Sequence, residues 1–174
     1  MDVAELARLQ EQGTRLKFLF FWGHQNPGRG YLSQWWPSPF TVGGVVYATA
    51  EHYMMAEKAR LFGDEETATA IVAASHPRQA KDLGRRVRDF DERTWRANRV
   101  TIVTRGSEAK FSQNGELRDY LLRTGDRILV EASPLDRVWG IGLAADDPRA
   151  ERPASWKGEN LLGFALMTVR DALS

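Results

Sequence analysis

Ala48-Thr-Ala-Glu51-His-Tyr-Met-Met-Ala-Glu-Lys58 is the stretch around which the chain is organised. It follows a Gly-Gly segment and has the pattern of the first turns of a helix. Thr49 suits the N-cap, because its hydroxyl accepts from the free N–H groups of a first turn. On such a helix Glu51, Met55 and Lys58 fall at i, i+4 and i+7. At about 100° per residue, Glu51 and Lys58 then lie roughly 20° apart in azimuth. A carboxylate and an amine thus share one face with an apolar residue. Two readings are open: a solvated pair worth roughly 0.3–0.5 kcal/mol, as most such pairs are, or a buried reaction site.

Working outward, the 174 residues suffice for one domain with its own core. Hydrophobic content of 43% and charged content of 27% are those of an ordinary soluble protein. A formal charge of +1 excludes global attraction to nucleic acid or anionic membrane and leaves room for a local basic patch. With no cysteine, disulfides, thiolate ligands and a thiol nucleophile are all excluded. The three histidines, His24, His52 and His76, have no metal-site spacing, so no metal is expected. The start, Met1-Asp-Val-Ala-Glu5, is acidic and followed by no apolar run, unlike a signal peptide, and no stretch reaches transmembrane length. A cytoplasmic protein without membrane contact is expected; the oligomeric state is left open.

Residues 2–13 have a helical period and form an expected N-terminal helical extension, 1–16, to a domain of 17–174. Lys17-Phe-Leu-Phe-Phe-Trp22 reads as a buried strand, and Gly23 to Gly30 as a loop whose glycines match no phosphate-binding fingerprint. Tyr31-Leu-Ser-Gln-Trp-Trp36 and Pro37-Ser-Pro39 form an aromatic-rich segment locked by two prolines, in which Trp35 and Trp36 point to opposite sides if it is extended. Phe40 to Tyr47 is a hairpin around Gly43-Gly44. Asp64 and Asp91 suit helix caps, and His76-Pro77 starts a helix that runs to Gly84. The cluster Arg85-Arg86-Val-Arg88 is either a solvated helix end or a phosphate clamp. A long helix follows Asp91, with Trp95, Arg99, Ile102 and Val103 on one side, and continues through Ala109-Lys-Phe111. A further helix stops at Thr124-Gly125. Arg127 to Ala132 reads as a buried strand, Ser133 to Gly142 as a turn and a glycine-broken strand, and Asn160 to Arg170 as a closing amphipathic helix. The elements predict one compact α+β domain, mostly helical around a small sheet.

Glu51, Lys58, Trp95, Lys110, Asp136 and Trp139 stand beside apolar residues at element ends. Singly, each is explained by local packing. Together, carboxylates beside tryptophans suit a sugar joined to a flat base, the ring stacking while the carboxylate acts on the sugar.

A set of ordered motifs extends this reading. Phe21-Trp-Gly-His24, Tyr31 to Trp36, Pro39-Phe40, Ala50 to Lys58, Leu83-Gly-Arg85, Trp95, Ala109-Lys-Phe111, Asp136-Arg-Val-Trp-Gly-Ile-Gly142 and Asn160-Leu-Leu-Gly163 follow one another. In order and spacing the chain resembles the NADAR domain family of riboflavin-intermediate N-glycosidases, over roughly residues 17–173. The resemblance implies hydrolysis of an N-glycosidic bond. The substrate is then either a ribosylaminopyrimidine 5-phosphate or ADP-ribose on a guanine of nucleic acid. It implies catalytic roles for Glu51, Lys58 and Asp136, and substrate binding by Trp22, Gly23, Ser33, Trp95, Lys110, Trp139 and Asn160, with Arg85 and Arg88 on phosphate. Glu51 would stabilise an oxocarbenium-like sugar, or Lys58 would attack the ring-opened sugar as a Schiff-base nucleophile. No cofactor is needed. Met54-Met55 and Leu32-Ser-Gln-Trp35 depart from the family pattern and bear on substrate choice. The competing reading is a non-catalytic module that binds ADP-ribose or a nucleotide.

Overall fold

The computed structural model describes residues 1–174. The class is α+β, with seven α-helices and two small two-stranded sheets. Two compact units form by contact: residues 1–33 with 119–174, and residues 34–118.

In the 34–118 unit, β2 (Phe40–Val42) and β3 (Val45–Tyr47) pair antiparallel as the predicted hairpin. Its turn residues Gly43 and Gly44 have φ of 58° and 79°, the left-handed pair that a two-residue hairpin turn requires. The hairpin leads into α2 (Ala50–Leu61), where Thr49 caps by accepting from the His52 N–H. Phe40, Tyr47 and Tyr53 form one aromatic cluster, with centroids 5.0–5.9 Å apart, that fastens hairpin to helix. Next come α3 (Glu65–Val72), capped by Asp64, and α4 (Pro77–Gly84), capped by the His76 ring; both pack on α2. Asp91 caps the 22-residue α5 (Glu92–Gln113). A side chain at Gly106 would collide with the Tyr53 ring, so this glycine is what lets α5 lie close on α2. The Gln113 side chain binds both N–H and C=O of Thr41 at 2.8 Å, closing the hairpin's edge as a strand would.

In the other unit, β1 (Phe18–Phe21) and β4 (Ile128–Glu131) pair parallel, Phe18 opposite Ile128. Near-continuous apolar runs are what a parallel pair covered on both faces needs. α7 (Leu161–Leu173) packs on β4. α1 (Val3–Glu11), within the predicted extension 1–16, packs on the short 3-10 helix Pro153–Ser155 and buries Leu6 completely. α6 (Gly115–Arg123) contains the boundary between the units; beyond it Gly125 takes φ 58°. Arg170 of α7 donates to Thr124 Oγ1 and the Arg127 carbonyl, both at 2.9 Å, putting a cation at the end of α6.

The structure resolves one conditional reading and corrects one expectation. Tyr31 to Trp36 is not extended: a 3-10 helix, Arg29–Leu32, is followed by turns, and both Trp35 and Trp36 are half-buried. The segment 137–142 forms no strand. Its backbone groups are taken instead by Lys157, Glu159, Asn160, Leu161 and Leu162, whose N–H groups bond the carbonyls of residues 137–141.

Candidate functional site

α2 carries Glu51 in its first turn, 4% exposed, near the positive end of the helix dipole that favours a negative charge. Its N–H, left over by the helix, donates to the Gln34 carbonyl at 3.0 Å. The next residue, His52, explains why the helix start is rigid. Its Nε2 faces the Ala74 carbonyl at 3.0 Å, so that nitrogen carries the proton, and Nδ1 accepts from the Thr49 hydroxyl at 2.8 Å. Burial lowers its pKa and keeps the ring neutral. His52 is thus a structural pin.

Lys58 lies two turns further on and is half-buried. Its Nζ donates to the Gly84 carbonyl at 2.9 Å and stands 4.4 Å from the Phe90 ring centre and 5.5 Å from that of Trp95. Burial lowers its pKa, Glu92 opposes the shift and Arg85 adds to it. Trp95 itself is buried. Tyr53 meets Gly106 while Lys58 meets Trp95, so α2 and α5 run antiparallel along their contact. That register carries Lys110, one turn past Gly106, toward the end of α2 that bears Glu51. Lys110 is 1% exposed, and desolvation lowers its pKa to about 7. Two amines and a carboxylate therefore stand on the paired faces of α2 and α5. Arg85 is exposed and pairs with Asp82 at 3.3 Å; Arg88 bonds the buried Asp64 at 2.8 Å, so half of the predicted clamp is committed to the fold.

In the other unit, Trp22 and Gly23 line a cavity of about 620 Å³ with Phe20, Tyr120, Asn26 and Arg29. Trp22 is 59% exposed, unusual for so large an apolar ring. Ser33 follows the 3-10 helix and is half-buried. Asp136 and Trp139 share one turn: Asp136 Oδ1 accepts from the N–H groups of Val138 and Trp139, both at 2.8 Å. Its carboxylate therefore shapes the loop that presents Trp139. Asn160 is fully buried in the left-handed region at φ 52°. Its Oδ1 accepts from the Glu131 N–H and its Nδ2 donates to the Leu129 carbonyl, each at 3.0 Å, so the side chain completes the edge of β4.

Four more side chains join the picture, of which the sequence reading names only Arg99 and, within a segment, Gln34. Arg99 is buried on α5 one turn from Trp95, and the helical stripe already contained it. Phe90 reaches Lys58 from outside any helix, where periodicity is silent. Gln34 and Ser107 are buried, and Gln34 Nε2 and Ser107 Oγ have no hydrogen-bond partner. Gln34 lies in Leu32-Ser-Gln-Trp35, the segment whose departure from the family pattern bears on substrate choice, whereas nothing local marks Ser107.

Known proteins share this architecture. The NADAR domain model matches residues 20–174. The chain is 43% identical over 162 residues to a protein named N-glycosidase R617 of Acanthamoeba polyphaga mimivirus, covering 89% of this chain and 95% of that one. It is 33% identical over 144 residues to a protein named riboflavin biosynthesis protein VVA0006 of Vibrio vulnificus, covering 83% of this chain but only 35% of that one. The NMR structure of the E. coli protein YbiA matches it with a TM-score of 0.71 at 30% identity, covering 90% of this chain and 84% of that one. Matched by the family model over most of its length, the chain belongs to the NADAR domain family.

Proposed function

We propose that the chain is an N-glycosidase that hydrolyses the bond between a ribose and a nitrogen base. The observation that carries this reading is the α2–α5 face: Glu51 and Lys110 are withdrawn from water, Lys58 is half-buried, and both amines have lowered pKa values. Groups so tuned are characteristic of sites that move protons or attack carbon. The name N-glycosidase carried by the mimivirus relative points to the same chemistry.

In the direct route the bond from C1′ to nitrogen breaks with its electron pair leaving on the base, which takes up a proton. Glu51 stabilises the positive charge that develops on the sugar, and water adds to C1′ to give the 1-hydroxyl sugar. In the covalent route a neutral lysine attacks C1′ of the ring-opened sugar, the base departs with a proton, and water hydrolyses the resulting imine. Lys58 must first leave the Gly84 carbonyl, whereas the Lys110 amine is substantially neutral near pH 7. Asp136 serves by holding the turn of Trp139.

Two substrates fit the class: a ribosylaminopyrimidine 5-phosphate, in keeping with the name of the Vibrio relative, and ADP-ribose on a guanine of nucleic acid. The test incubates the protein with each and follows release of base or ADP-ribose by mass spectrometry. Borohydride is added to trap an imine, and Glu51→Gln, Lys58→Ala and Lys110→Met serve as controls. Base release from the first substrate alone assigns it to metabolite cleavage, and ADP-ribose release from the second assigns it to reversal of nucleic-acid modification. An adduct that vanishes in only one lysine variant identifies the nucleophile. No turnover on either overturns the glycosidase reading in favour of a binding module.

A further inference from the structure

We propose that the side-chain amide of Gln34 is a positioning group for the 2′-hydroxyl of the ribosyl ligand beside Glu51. The proposal rests on the glycosidase reading above and names one contact within it. Gln34 is 8% exposed, and its own carbonyl accepts the Glu51 N–H at 3.0 Å, which fixes the residue against the first turn of α2. Its Nε2 is buried and meets no acceptor in the protein. Folded proteins seldom leave a buried amide unmet, because the group has given up water for nothing.

A second such atom stands on the facing helix. Ser107 Oγ, 1% exposed, also lacks a partner; Ser107 follows Gly106, the residue in contact with Tyr53, and precedes Lys110 by three. On an α-helix positions three apart share a face. Two unmet polar groups thus flank the same end of the α2–α5 pair as Glu51 and Lys110. That is the pattern of a site awaiting a polar ligand rather than of one badly packed side chain.

The chemistry selects which ligand atom. A carboxylate that stabilises charge at C1′ also reaches the oxygen on the adjoining carbon. An amide N–H directed at C1′ itself would oppose the developing cation. A hydroxyl at C2′ resolves both demands, accepting from Gln34 Nε2 and donating to Glu51. Hydrogen bonds to this hydroxyl strengthen in the transition state of glycosidic cleavage, so the contact should act on kcat.

The test compares a ribosylaminopyrimidine 5-phosphate with its 2′-deoxy counterpart, and the wild type with Gln34→Met, which keeps the length and removes both donors. The expected result is a kcat loss of about 10- to 100-fold on the ribosyl substrate. On the deoxy substrate the two proteins should agree within about twofold, and the variant should melt no lower than the wild type. Equal loss on both substrates would assign Gln34 a structural role, and no loss on the ribosyl substrate would remove it from the site; either overturns the proposal. Gln34→Asn, which retracts the amide by one methylene, carries the same comparison if Gln34→Met does not fold. An active wild type with an indifferent variant sinks this contact alone. A wild type inactive on ribosyl glycosides sinks the glycosidase reading and the contact with it.

Discussion

Asn160 at the edge of β4 and Gln34 beside α2 are both buried amides, and the fold uses them in opposite ways. Asn160 is wholly enclosed, and both ends of its amide are spent on the backbone of Leu129 and Glu131. Asp136, half-exposed, spends one oxygen on two N–H groups of its own turn. Against these, Gln34 Nε2 and Ser107 Oγ meet no hydrogen-bond partner, as is also true of Glu131 Oε2 at the end of β4, and Lys58 has a carbonyl, two ring faces and the field of Glu92. A satisfied polar group stabilises the fold and has little left to offer a ligand. An underused one costs stability and retains bonding capacity. We read this contrast as chemistry beside α2 and architecture at Asn160, and substitutions at these positions test it.

The largest effect is expected at Glu51. Glu51→Gln keeps shape and removes the charge, so kcat should fall about 1000-fold, equivalent to roughly 4 kcal/mol of transition-state stabilisation. Turnover near the wild-type level would remove Glu51 from the reaction. At the strand edge the pattern should invert. Asn160→Ala leaves the Glu131 N–H and the Leu129 carbonyl without partners, costing about 2–4 kcal/mol, or roughly 5–15 °C in melting temperature. The surviving folded fraction should turn over substrate normally. A kcat loss without a fall in stability would move Asn160 into the site.

Lys110 provides a test that reads pH. Its pKa falls to about 7 in the fold and returns to about 10.4 when the chain unfolds. Below about pH 7 both states carry the proton, and the fold bears the full cost of a buried ammonium. Between about 7 and 10 the unfolded chain holds more protons, so stability must rise with pH across that window. Denaturant midpoints should climb from pH 6.5 to 9.5 in the wild type, with that part of the rise absent from Lys110→Met. If Lys110 is also the nucleophile, kcat rises through the same pH near 7. A rise in stability that persists unchanged in Lys110→Met would assign it to another group.

Much of this was legible in the sequence because its cause is local. Thr49, Asp64 and Asp91 cap helices through N–H groups two or three residues away, and Gly43-Gly44 turns a hairpin whose strands adjoin it. The pairing of Glu51 and Lys58 on one helix needed only the helical repeat. What escaped depends on distant partners. Residues 137–142 have strand-like composition, yet their carbonyls are claimed by the segment 157–162, which no window on the former reveals. The backbone contacts of Asn160 escaped because nothing near it in sequence discloses that β4, some 30 residues earlier, takes its side chain. The segment Leu32-Ser-Gln-Trp35 is marked in the sequence as bearing on substrate choice, but the unmet amide of Gln34 escaped for the reverse reason: a missing partner is a property of the folded surroundings alone.

The smallest effect is expected at Arg85, where the contrast can be made finer. Its side chain is 69% exposed and pairs only with Asp82, one turn earlier on α4, at 3.3 Å. Such a pair contributes roughly 0.2–0.5 kcal/mol, so Arg85→Ala should leave the melting temperature within about 1–2 °C of the wild type. Its effect on Lys58 is electrostatic and through solvent: removing a nearby cation lets the Lys58 pKa rise toward its ordinary value. If Lys58 acts as a neutral amine, the pH profile of kcat should shift upward slightly with KM nearly unchanged. If the cluster holds phosphate instead, KM should rise for a 5′-phosphorylated glycoside and not for the dephosphorylated one, and the loss should shrink as salt is raised. Titrating both substrates at two ionic strengths separates these outcomes. The second would show that the chemistry-bearing face of the helices extends past α2 and α5 to the exposed end of α4.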